Sequence, residues 1–106
     1  MAKYLVEASY TSEGAQGLIK DGGSKRRAAA EQAIKNAGGT LEAFYFAFGD
    51  RDALVIIEAP DHATVVAASL AINASGAVRT KTTVLLSPEE VDHATKKSVK
   101  YRAPGK

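Results

Sequence analysis

The sequence contains no cysteine and no tryptophan, and its apolar runs are short. Without cysteine the chain forms no disulfide and offers no thiolate ligand to a metal. The apolar runs are too short to span a bilayer, and the first ten residues, MAKYLVEASY, lack the apolar segment and the cleavage pattern of a signal peptide. These absences predict a soluble, cytoplasmic protein with no membrane partner.

The charged residues divide the chain into a body and a tail. The formal net charge is +2, yet five of the 14 basic residues lie in the last eleven positions, KKSVKYRAPGK, and the other nine are outnumbered by 12 acidic residues. An acidic body disfavours a nucleic-acid partner, because phosphate contacts need clustered Lys and Arg. At 106 residues the chain is long enough for one core. We expect one domain over residues 1–95 and a basic, mobile tail over residues 96–106.

Four segments rich in β-forming residues predict four strands. Their predicted bounds are Lys3 to Tyr10, Leu41 to Phe48, Ala53 to Ala59 and Val78 to Leu86. The segments between them and after them carry helix signals. The predicted helix starts are Thr11, Ser24 and Asp61 as N-caps, and Pro88 at the first position of a short final helix.

The resulting order is βαββαβ with a C-terminal helix, which is an α+β arrangement of the ferredoxin-like type. In this topology the four strands form an antiparallel sheet in the order 4-1-3-2. Both long helices cover the same face of that sheet. The other face is therefore left without a helix.

The stretch FAFGDRDALVIIEAP predicts a hairpin, because the charged residues 49–52 separate two strands. Gly49 and Asp52 favour tight-turn geometry, so we assign them a structural role in the turn. A two-residue loop at Asp50 and Arg51 predicts three cross-strand pairs that share the helix-covered face. These pairs are Phe48 with Ala53, Phe46 with Val55, and Phe44 with Ile57.

The opposite face of this hairpin is too apolar to face water. Its predicted residues are Ala43, Tyr45, Ala47, Leu54, Ile56 and Glu58. Burial against a second copy of the same face is the simplest solution, and two four-stranded sheets packed in this way form a dimeric α/β barrel. The sequence therefore predicts that the protein associates with further copies of itself, as a homodimer or higher oligomer.

Four residues are candidates for a ligand site on this uncovered face. By strand alternation, Glu7, Tyr45 and Glu58 can share one surface with a residue pair of the fourth strand, either Arg79 and Lys81 or their neighbours. Carboxylates beside a cation in an enclosed site can transfer protons, but a structural ion-pair network at a dimer contact uses the same residues. No catalytic residue follows from the pattern. His62 and His93 are interpreted as solvated surface residues, and no residue spacing indicates a metal site or a cofactor.

Three stretches resemble a known family. The runs YTSEG, GDRDALVIIEAPD and ASGAVRTKT are similar to those of the GYD-domain family, small proteins of ferredoxin-like fold with no established biochemical function. The similarity extends from Tyr4 to Glu90. Gly49 and Asp52 stand where the family's Gly and Asp stand, while Arg51 replaces the Tyr of the family name. The resemblance implies a ferredoxin-like fold and a turn in which Asp52 is bonded to nearby backbone amides.

Three function classes stay open at this point. The first is a small-molecule-binding or sensing homo-oligomer, whose cavity at the sheet face holds an apolar or weakly acidic ligand. The second is a cofactor-free enzyme of the isomerase or monooxygenase type, which dimeric α/β barrels often host. The third is an assembly protein whose sheet face serves only oligomerisation. The fold does not distinguish them, but the volume of a cavity does.

Overall fold

The computed structural model of the protein describes all 106 residues and contains four strands and four helices. In chain order the elements are β1 (Ala2–Tyr10), α1 (Ser12–Asp21), α2 (Gly23–Asn36), β2 (Thr40–Phe46), β3 (Ala53–Ala59), α3 (His62–Ala74), β4 (Val78–Leu85) and α4 (Pro88–Thr95). All strand pairs are antiparallel, in the order β2-β3-β1-β4. This α+β architecture is consistent with the ferredoxin-like fold predicted. None of the helices has the length and apolar character needed to cross a membrane.

Side-chain caps start three of the four helices. Thr11, Asp61 and Ser87 each accept a hydrogen bond from a backbone N–H in the first turn of α1, α3 and α4, and the sequence predicts the first two of these caps. The predicted cap at Ser24 is wrong. α1 and α2 meet at Gly22, which ends one helix and begins the next with a φ of +84°, a conformation that favours glycine.

The core lies between the sheet and the helices. Every second residue of β3 is buried, which is the pattern of a strand with one covered face. Tyr4 of β1 is the largest fully buried side chain, and α2 and α3 add Ile34 and Val65 to the same cluster. Burying an aliphatic side chain of this size stabilises a fold by roughly 1.5–3 kcal/mol.

The register of the β2–β3 hairpin differs from the prediction by two residues. Phe46, not Phe48, pairs with Ala53, and Phe44 pairs with Val55. Because side chains alternate with a period of two, this shift keeps Phe44 and Phe46 on the helix-covered face. Phe48 leaves the sheet with a φ of +53° and lies exposed, stacked on the Phe46 ring with centroids 5.7 Å apart. The assignment of Phe48 to the core, and of Ala47 to the opposite face, was therefore wrong.

Asp52 explains why the connection is longer than a two-residue turn. Its carboxylate accepts a hydrogen bond from Tyr10 N at 2.8 Å, and its backbone N–H donates to Ala8 O at 2.9 Å. Its carbonyl accepts from Ala47 N at 2.9 Å. These bonds hold Asp52 against the end of β1, so residues 47–52 form a loop anchored to the sheet rather than a free tip.

The C-terminal segment extends away from the sheet. All residues of α4 are exposed, although a capping box between Ser87 and Glu90 holds its first turn. The radius of gyration is 17.0 Å, compared with about 13 Å for a compact domain of this length. Val91, Val99 and Tyr101 are exposed in this segment. Its apolar side chains are therefore free to contact another molecule.

We predict that Asp52→Ala destabilises the protein by about 1–2 kcal/mol, because Tyr10 N loses a charged acceptor in a partly buried site. Asp50→Ala is the matched control, since Asp50 is an exposed carboxylate of the same loop. Urea unfolding of the two variants measures the difference. An equal loss from both substitutions would contradict the anchoring role of Asp52.

Candidate functional site

The candidate site is the face of the sheet that no helix covers, which we refer to as the open face. Alternation and strand register define it, because neighbouring positions on each strand point to the buried core. Its side chains are Lys3, Leu5, Glu7 and Ser9 of β1, Thr40, Ala43 and Tyr45 of β2, Leu54, Ile56 and Glu58 of β3, and Arg79, Lys81, Thr83 and Leu85 of β4.

The middle of the open face is apolar. Leu5 lies opposite Ile56 on one side and opposite Thr83 on the other, and Ala43 lies opposite Ile56. Leu5 and Ile56 are only partly buried within one chain. An antiparallel sheet that faces water normally carries polar residues at such positions. The centre of this face therefore has the composition of a contact surface.

A second row brings two of the four predicted site residues together. Tyr45, Leu54, Glu7 and Lys81 are aligned across the four strands in that order. Tyr45 and Glu7 are separated by one strand, or about 10 Å across the sheet, and Tyr45 is 69% exposed. Leu54 lies between them and supplies an apolar base. This row offers a phenol, a carboxylate and an ammonium group around an apolar patch.

The other two predicted residues lie at opposite ends of the open face. Glu58 is next to Lys3, while Arg79 is aligned with Ser9, six positions further along β1. Six residues of strand correspond to about 20 Å. Within one chain, Arg79 is therefore too far from Glu58 to be the cation beside this carboxylate.

Lys3 is the cation that sequence reasoning missed. Its Nζ lies 3.0 Å from Glu42 Oε1 and 3.8 Å from Glu58 Oε1. A register irregularity between Leu41 and Ala43 places Glu42 beside this group. The predicted topology already indicated that Lys3 lies near Glu58, since antiparallel pairing puts the start of β1 next to the end of β3. All three charged groups remain partly exposed, so this cluster adds little to stability.

The hydrogen bond to Glu42 and the charge of that carboxylate raise the pKa of Lys3, and Glu58 adds a smaller effect in the same direction. Because the folded-state pKa is raised, the stabilisation is complete below the ordinary lysine pKa of about 10.4. It is lost as the pH rises through the folded-state pKa.

We predict that the pKa of Lys3, measured from its side-chain NMR shifts, lies above the ordinary lysine value of about 10.4. Glu42→Gln should lower the Lys3 value more than Glu58→Gln does, because Glu42 is the closer carboxylate. A larger effect from Glu58→Gln would show that the ion pair is arranged differently.

The three stretches that carry the family resemblance meet at the end of β1. Thr11 donates through its backbone N–H to Ala77 O at 3.1 Å and through its hydroxyl to Gly76 O at 2.9 Å. Gly14 packs so closely on Ala77 O that a Cβ would clash with it. Asp52 reaches the same place through Tyr10 N. These motif residues hold loops together, and Gly49 lies in one of those loops.

His62 has a contact that the sequence did not indicate. It is exposed, as expected, but its Nδ1 lies 2.7 Å from the hydroxyl of buried Tyr4, on the helix side of the sheet. Strand alternation alone does not pair a residue at a helix start with one at the beginning of β1. The contact depends on how α3 crosses the sheet, which the sequence pattern does not define.

Comparison with known proteins agrees with this architecture. A family model described as GYD domain matches residues 4–95, which extend from Tyr4 of β1 to the end of α4. The match leaves residues 96–106 outside. No curated protein matches the chain.

Proposed function

This chain belongs to the GYD domain family, and from that premise we propose that it is a cytoplasmic homo-oligomer that binds a small molecule where the open faces of two copies meet. The two sheets then form a dimeric α/β barrel. The observation that carries the proposal is the apolar row Ala43, Ile56 and Leu5 in the middle of a sheet face that no helix covers. A stable contact of standard size buries roughly 800 Å² on each partner, which is the scale of one sheet face.

The chemistry of the second row suggests which ligand the contact holds. Tyr45 and Lys81 supply hydrogen-bond donors at its two ends, and Leu54 supplies an apolar surface between them. Glu7 lies opposite Lys81 and balances part of its charge. This combination favours an apolar or weakly acidic molecule. Glu58 is paired with Lys3 and Arg79 lies at the far end, so we assign them to the rim of the contact.

We predict that Ile56→Lys disrupts the oligomer, because it places an unpaired charge in the apolar row. Ile19→Lys is the matched control, since Ile19 is 85% exposed on α1, away from the open face. Sedimentation should show oligomer for the parent and the control, and monomer or unfolded chain for Ile56→Lys. Circular dichroism separates these two outcomes. An unchanged oligomer in Ile56→Lys would rule out this face.

We also predict that native mass spectrometry of the protein from its own host detects a small molecule carried by the oligomer. Glu7→Gln and Tyr45→Ala should reduce the carried fraction, because they alter the polar ends of the proposed site. Asp50→Asn, in the loop, should leave it unchanged. Loss of the molecule only in the Asp50 variant would place the site at the loop instead.

A further inference from the structure

A cleft opens on the helix side of the sheet, between α3 and the edge strand β4. Its volume is about 470 Å³, which lies within the range of roughly 300–1,000 Å³ for small-molecule pockets. One wall is a stripe of α3 that contains His62, Val66 and Leu70, spaced by one helical turn. The other wall is formed by Thr82 and Val84 of β4.

The cleft exists because α3 covers only one end of β4. Val78 is buried, but Thr82 and Val84 point to the same side of the sheet and are exposed. Asn73 closes the covered end, where its side chain donates to Thr80 Oγ1 at 2.9 Å and accepts from Thr80 N at 3.1 Å. Beyond this point the two walls are separate, and Leu70 is 66% exposed.

His62 supplies a hydrogen-bond donor at the end of the cleft that lies away from Asn73. Tyr4 is only 1% exposed, and its hydroxyl makes one hydrogen bond, to His62 Nδ1 at 2.7 Å. A buried hydroxyl with a single partner places its hydrogen in that bond, because an unsatisfied buried donor is costly. His62 Nδ1 is then the acceptor, so Nε2 carries the ring hydrogen. The two rings meet edge-on, with an interplanar angle of 83°.

The lining also indicates the charge of an occupant. Half of the lining residues are polar, and none of them is Asp, Glu, Lys or Arg. The nearest carboxylate in the sequence, Asp61, already accepts hydrogen bonds from Thr64 N and Oγ1. A charged ligand would lose its hydration without gaining a counterion. The apolar walls and the single oriented donor instead fit a neutral molecule with an apolar body and one acceptor oxygen.

We propose that the α3–β4 cleft binds a neutral carbonyl compound, such as a ketone or aldehyde with an aliphatic or aromatic body. The carbonyl oxygen accepts from His62 Nε2, and the body packs against Val66, Leu70 and Val84. Tyr4 is a positioning residue, because it sets the His62 tautomer without reaching the ligand. This site lies on the opposite side of the sheet from the open face, so it does not depend on the proposed oligomer contact.

Titration of the ¹⁵N-labelled protein with 2-heptanone tests the proposal, with heptanoate as a charged compound of matched length. We expect saturable amide shift changes at His62, Leu70 and Thr82 with the ketone and none there with the carboxylate. Histidine ring ¹⁵N shifts should report hydrogen on Nε2 of His62 in the parent. In Tyr4→Phe that tautomer preference should be lost, and the ketone affinity should fall about three- to tenfold.

Two surface variants complete the test. Leu70→Lys should abolish the saturable shifts, because it places a charge in the apolar wall, while Ile19→Lys on α1 should bind as the parent does. Both residues are exposed, so neither substitution threatens folding. The proposal is overturned if the ketone causes no saturable shift at the cleft, if its shifts cluster at the open face instead, or if heptanoate binds the cleft as well as the ketone does.

Discussion

The structure depends on a sheet that has helices on one face only. Strand alternation sends Tyr4, Val55 and Ile57 toward the helices, where they form the core, and sends Leu5, Leu54 and Ile56 to the other side. A sheet with apolar side chains on both faces needs a cover on both faces. The helices supply one cover, and we assign the second to another copy of the chain. The assembly face, the charged rim and the ligand site that we propose between two copies all follow from this one asymmetry.

Sequence patterns were sufficient for the element order and for the faces of the residues within the observed strands of the hairpin, because both depend on local periodicity. These patterns did not predict the hairpin register, because the register depends on the contact of Asp52 with Tyr10 N, a residue 42 positions away. A loop that looked two residues long in the sequence is tied back to β1 and spans residues 47–52. Phe48 shows the effect of the longer loop most clearly, because its side chain is of the type found in cores but lies exposed outside the sheet.

In the candidate site, too, local sequence patterns indicate the face of a residue, whereas its neighbours across the sheet depend on long-range strand pairing. The strand registers place Glu7, Tyr45, Glu58 and Arg79 on one face, but alternation in the sequence did not define the side of Arg79 and carries no information about position along the strands. Once the register is known, Arg79 lies about 20 Å from Glu58, and Lys3 takes its place. The Tyr4–His62 contact and the cleft beside it depend on the crossing of α3 over the sheet. No periodic pattern in the sequence encodes that angle.

We propose that the open face is buried against a second copy, and the absence of cysteine makes this burial directly measurable. A single cysteine at Ile56 reports on the apolar row, and a single cysteine at Ile19 reports on an exposed helix surface. We expect the Ile56→Cys thiol to react slowly with a maleimide at high protein concentration and faster on dilution, as the oligomer dissociates. The Ile19→Cys thiol should react at one rate throughout. A reaction rate at Ile56→Cys that is independent of protein concentration and equal to that at Ile19→Cys would contradict burial of the open face.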